Sequence, residues 1–219
     1  SGLVGSEMCI RDRSDPSEYG SDRVLLHLRL TGEHDADVAA IGGAGIPVFV
    51  LDLRHPIDTG GLYMTLELAI AAAGAELGIN PFDQPDVQAA KDAANRALAT
   101  DGGIPTDHRE GPEAIARAID MLGRGDYLAL QAFTTPTPAG ERHLDAMRVA
   151  VRRRTGCATT AGWGPRFLHS TGQLHKGGPS SGVFVQFLGP GAPDLPIPGQ
   201  DHTFGDLLRA QAIGDADAL

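Results

Sequence analysis

Lysine is nearly missing from this sequence: of 18 basic residues only Lys91 and Lys176 are lysines, and the rest are arginines. Such a skew marks a GC-rich coding sequence that writes arginine wherever either cation serves, which gives each surviving amine extra weight. Positive charge as a whole is scarce, with 28 acidic residues and a net charge of −10. That balance argues against a general nucleic-acid surface or an anionic-membrane surface, because both need net positive potential. A small anionic substrate is still allowed, since it needs only a local pocket of donors. Two cysteines, Cys9 and Cys157, are too few for a disulfide framework or a structural zinc site. The longest apolar run, Leu68 to Ala75, falls far short of the ~18 residues that span a bilayer. These absences leave a soluble enzyme or binding domain of a reducing compartment as the expectation.

What is present is ordinary globular material, 42% hydrophobic and 21% charged, with ample chain for a sizeable core. The stretch Ser1 to Arg13 stands apart because it has no periodicity. Its Met8-Cys9-Ile10-Arg11-Asp12-Arg13 core resembles a translated sequencing adapter. It is therefore expected to be a non-native segment to be excluded from fold reasoning, with the natural chain beginning upstream. Residues 14–219 then form the native part.

The native part alternates strand and helix patterns. Val24–Leu30, Val48–Leu53, Tyr127–Phe133, Cys157–Ala161 and Val183–Leu188 read as strands. Helical patterns cover Asp35–Ile41, Leu62–Leu77 and Asp86–Leu98. Three more begin at Pro112, at Thr137-Pro138 and at Phe204. Leu62–Leu77 is apolar almost all round and is expected in the interior. Strands alternating with helices predict an α/β layered fold built on a mostly parallel sheet. Arg152 to Arg154 suit a helix C-terminus.

Standard motifs are largely absent. Gly42-Gly43-Ala44-Gly45 misses the dinucleotide spacing, and there is no phosphate-binding P-loop. Gly178-Pro179-Ser180-Ser181-Gly182 matches the nucleophile-elbow spacing but is followed by a strand pattern, the reverse of what that elbow requires. His169 and His175 do not stack on one helical face and have no acidic or thiol neighbours, so no metal is expected there.

Two segments carry chemistry. In Asn80-Pro81-Phe82-Asp83-Gln84-Pro85 through Lys91, Pro85 opens a helix, Gln84 lies near its cap, and Lys91 follows two turns later on the same side. An amide and an amine so placed suit either an anionic ligand or a solvated helix surface. In Leu168-His169-Ser170-Thr171-Gly172-Gln173-Leu174-His175-Lys176-Gly177-Gly178, imidazoles and hydroxyls lie among glycines that let a ligand approach. The same residues would also make a plain polar loop.

The first segment closely resembles the C-terminal signature of phosphoglucose isomerases, where an F-D-Q motif precedes the active-site lysine by this spacing. The second resembles their L-H-S-x-G-Q segment bearing the catalytic histidine. The C-terminal stretch from Pro196-Ile197-Pro198 through Thr203-Phe204-Gly205 to Ala210-Gln211-Ala212 looks like the end of bifunctional transaldolase/phosphoglucose isomerase fusions. The resemblance runs from about Asp22 onward.

It implies a three-layer sugar-isomerase (SIS) type fold, incomplete on its N-terminal side, and a cytoplasmic glucose-6-phosphate isomerase of glycolysis and gluconeogenesis. It further implies Lys91 and His169 as catalytic groups and Gln84 as a substrate contact, with Ser170, Thr171 and Gln173 as further substrate-binding candidates. His175 matches no catalytic position of the family and is a secondary substrate-binding candidate. A hexose phosphate is the implied substrate, no metal or cofactor is required, and a homodimer is common in the family. Lys91 precedes His169 here, the reverse of ordinary isomerases and the order associated with the fusion type. The family's general-base glutamate and phosphate loop have no matching motif. They are expected upstream, beside a transaldolase region, and the fragment alone is expected to be inactive. The alternative reading is a non-catalytic sugar-phosphate-binding SIS module acting as a sensor.

Overall fold

The computed structural model describes residues 15–20, 23–83, 85–99, 111–169, 171–189 and 194–219. The chain divides into two compact units, Ser1–Asp83 and Gln84–Leu219. Ser1–Arg13, Gln84 and Ser170 lie outside the described residues.

The first unit is a strand–helix–strand. Strand β1 (Leu25–Arg29) pairs in parallel with β2 (Val48–Asp52), from Leu25 opposite Val48 to Arg29 opposite Asp52. Helix α1 (Asp35–Gly43) makes the crossover. Period-two alternation aims Leu25 and Val48 at α1, where they meet Val38, Ile41, Ile46 and Tyr19 in a small core. Arg29 ties the strand ends to the helix. Its Nε and Nη2 donate to Asp35 at 2.8 Å each, and its Nη1 donates to Asp52 at 3.1 Å.

Helix α2 (Thr59–Leu77) follows and ends on Gly78 in the left-handed conformation, which glycine adopts without steric penalty. Its placement corrects the expectation of an interior helix. Tyr63, Met64, Leu68, Ile70 and Leu77 are all exposed, and only Gly74 is buried, against the ring of Pro81. The physical reason is supply of partners. Packing against α2 comes chiefly from the short turn Pro56–Asp58 that precedes it, which covers a small part of a helix that is apolar all round.

The second unit holds three parallel strands in the order β4-β3-β5, with β3 (Tyr127–Phe133) central, β4 (Ala158–Trp163) on one side and β5 (Gly182–Leu188) on the other. All seven residues of β3 are buried, as expected of a central parallel strand covered on both faces. Leu128, Leu130 and Ala132 face one way. They pack with Leu144 and Val151 of helix α5 (Pro138–Thr155) and with Ile115 and Ile119 of helix α4 (Pro112–Asp120). Phe133 faces the other way, toward Phe167 and toward Ala212 and Leu208 of helix α7 (Phe204–Ala218).

Helix α3 (Pro85–Leu98) lies against α7. A Cβ on Gly214 of α7 would come within 2.6 Å of the Ala90 carbonyl oxygen and of the Ala94 nitrogen, so the two backbones touch where a side chain has no room. The strand and helix positions agree with the periodicities, and the fold is mixed α/β with parallel strands. Among the described residues those strands form two sheets rather than one.

Candidate functional site

The second motif segment is not a loop throughout. A 3-10 turn (Arg166–His169) leads into a short helix, α6 (Gly172–Gly177). The Thr171 amide donates to the Phe167 carbonyl at 2.9 Å, and the His175 amide donates to the Thr171 carbonyl at 2.9 Å. The helix precedes β5, so Gly178–Gly182 runs from helix to strand, opposite to a nucleophile elbow.

Helix α6 joins the two motif segments. Gln173 Nε2 donates to Asp86 Oδ2 at 2.6 Å, and the Asp86 amide donates to Gln173 Oε1 at 3.2 Å. Asp86 is in the first turn of α3, directly after Pro85, where amides lack helical partners. The Gln173 amide therefore satisfies a helix N-terminus and a carboxylate at once, across 87 positions of sequence. Gly177 keeps this clasp open, because a Cβ there would collide with the Asp86 carboxylate and lie 2.6 Å from Gln173 Nε2.

Of the sequence candidates, His169 and Lys91 are both exposed, and neither side chain makes a hydrogen bond or ion pair among the described residues. Five residues at about 100° each put Lys91 about 140° round α3 from Asp86, so the clasp does not itself turn Lys91 toward α6. Thr171 is half-buried, with its hydroxyl 3.3 Å from the Phe167 carbonyl. Gln173 is committed to Asp86.

His175 is in the core. Its Nδ1 is 2.9 Å from the Tyr127 hydroxyl, and its ring stacks on Tyr127 and meets Phe167 and Phe184 edge-on. Burial, with the neighbouring Lys176 charge adding to it, pushes the His175 pKa down to about 4, so the ring is neutral. Burial likewise pushes the Tyr127 hydroxyl up.

Sequence reasoning missed a buried polar group beneath α6. Lys176, whose side chain is 1% exposed, is ion-paired with Asp215 of α7, which is 0% exposed. The other Asp215 oxygen accepts from Gln186 Nε2 of β5 at 3.0 Å. Desolvation raises the Asp215 pKa, opposed by the bonds from Lys176 and Gln186. Gln131 stands opposite Gln186 across the sheet, 1% exposed and with neither amide atom hydrogen-bonded. A signal existed: Gln131 and Gln186 interrupt otherwise apolar strands, and Asp215 continues the Leu208–Ala212 stripe of α7. Polar residues at such positions usually bond to one another.

No group of three or more His, Cys, Asp or Glu side chains among the described residues is placed to hold a metal ion. Among the same residues no helix is long and apolar enough to cross a membrane. Comparison with protein-family models, with curated proteins and with solved structures finds no match to this chain.

Proposed function

We propose that this sequence is part of the isomerase domain of a bifunctional transaldolase/phosphoglucose isomerase, an SIS-type enzyme interconverting glucose 6-phosphate and fructose 6-phosphate in the cytoplasm. The observation that carries the reading is the Asp86–Gln173 clasp. The two segments that resemble the family's lysine and histidine signatures are bonded to each other, while His169 and Lys91 stay open to solvent.

The reaction poses two proton problems. Opening the sugar ring requires a proton to move between the anomeric hydroxyl and the ring oxygen, and an imidazole, which can both donate and accept a proton, suits that step. His169 takes this role. A carboxylate then carries a proton between C2 and C1 through an enediolate, whose developing negative charge an ammonium stabilises. Lys91 takes that role, and it converges on the same bound sugar phosphate as His169 of its own chain or of a second copy in a homodimer. The carboxylate and the phosphate loop are assigned to upstream chain in the same polypeptide. No cofactor is needed for a proton transfer of this kind.

The test uses the whole natural polypeptide that carries this sequence, assayed for isomerisation of glucose 6-phosphate by coupling to a dehydrogenase. His169→Ala is expected to lose about 100- to 10,000-fold on the cyclic sugar and far less on an open-chain analogue. Lys91→Ala is expected to impair both substrates. Lys91→Arg is expected to stay poor, since a planar guanidinium does not replace an ammonium. Wild-type activity in either alanine variant sinks the assignment.

A further inference from the structure

A helix of six residues has no stability of its own. The pose of α6, and of the Arg166–His169 turn that precedes it, is therefore set by what its side chains grip. Three grips are visible: Gln173 on Asp86 of α3, His175 on Tyr127 of β3, and Lys176 on Asp215 of α7, which in turn holds Gln186 of β5.

The last is costly to build, because two charges leave water completely. Replacing a buried ion pair with well-packed apolar groups is often neutral or stabilising, so stability alone is a weak reason for its presence. An ion pair differs from an apolar contact in being directional. Here the Lys176 ammonium also folds back beneath the first turn of its own helix, with Nζ 3.9 Å from where a Gly172 Cβ would lie. An arginine head is larger and planar and would not reproduce the pairing geometry of an ammonium, and this chain otherwise writes nearly all its cations as arginine.

We infer that Lys176, Asp215 and Gln186 form a buried positioning device that fixes α6 and so the pose of His169 at the end of the Arg166–His169 turn, with none of the three touching substrate. The chemistry that His169 performs rests on the isomerase reading. The pinning of α6 does not.

The test is the double variant Lys176→Met/Asp215→Asn in the whole natural polypeptide, which removes both charges and strands neither. One readout is amide hydrogen exchange at Thr171, His175 and Gly178, whose amides are bonded within the turn and α6, against the amides of β3. The second is kcat and KM on glucose 6-phosphate. Exchange in α6 is expected to rise at least about tenfold with β3 unchanged. Turnover of the cyclic sugar is expected to fall about 100-fold, the scale of a misplacement of about 1 Å, with KM nearly unmoved.

Unchanged α6 exchange overturns the inference, as does faster exchange with turnover intact. If the wild-type polypeptide shows no isomerase activity, the isomerase reading fails and exchange alone decides the pinning. If the double variant does not fold, Lys176→Arg, which keeps the charge and alters only its shape, supplies both readings with the same expected directions.

Discussion

The two units treat similar sequence in opposite ways. In the second, β3 has helices on both faces, and Leu128 and Leu130 are 0% and 1% exposed. In the first, the β1–β2 pair has α1 on one face, while on the other Leu28 and Phe49 are exposed, as is most of the apolar surface of α2. Both regions are rich in leucine, valine and alanine. Apolar pattern states what gains by leaving water. Whether a side chain does leave water depends on a second layer standing within contact distance.

Breaking the best-buried polar contact of the second unit should have the largest effect. Lys176→Met alone leaves the Asp215 carboxylate buried without its cation and is expected to destabilise by about 3–5 kcal/mol, read by urea unfolding. A loss below about 1 kcal/mol would mean that water reaches Asp215. The contrast between units is sharpest in a matched pair of truncations. Leu130→Ala is expected to cost about 2–5 kcal/mol. Leu68→Ala on α2, where the leucine is 61% exposed, should stay within about 0.5 kcal/mol. Equal losses would show that α2 is covered in solution.

His175 supplies a pH signature confined to the second unit. Its folded pKa of about 4 lies below the ordinary 6.5, so the unfolded chain binds the proton more readily. Stability from this group is complete above pH 6.5 and declines as pH falls toward 4, by at most about 3 kcal/mol. His175→Phe, which keeps the aromatic contacts to Tyr127, Phe167 and Phe184, should flatten the slope between pH 6.5 and 4.5. An unchanged slope would assign it to other groups.

Gly214→Ala wedges a methyl between α3 and α7 backbones and is expected to cost about 1–3 kcal/mol, visible as a lowered Tm. Gly177→Ala should cost less than Gly214→Ala, under about 1 kcal/mol, because it displaces only the tips of Asp86 and Gln173. It should nevertheless break the clasp between the motif segments, seen as faster exchange of the Asp86 amide.

The segments of the candidate site were legible in the sequence as motifs, because Pro85 as a helix start, the residue spacing to Lys91 and the cluster around His169 are local features. The structure put Lys91 and His169 on exposed surface and Gln173 against Asp86, and moved His175 from the candidate contacts into an aromatic core. For the Lys176–Asp215–Gln186 group the sequence offered only isolated polar positions on apolar faces, and no local reading pairs them, since they are 39 and 29 positions apart.

By itself the sequence determined where the strands and the helices other than α6 begin and end among the described residues, to within a few residues. Periodicity, Pro85, Pro112 and Pro138 at helix starts, and Gly78 and Gly156 at helix ends all act through the nearest backbone. Tertiary structure alone decided that the strands form two separate sheets and that the apolar helix α2 lies exposed. It also decided that a six-residue helix between His169 and β5 bonds to one carboxylate of α7 and one of α3. Those outcomes depend on contacts between residues far apart in sequence, which are set by the packing of whole elements and leave no periodic trace in the residues that make them.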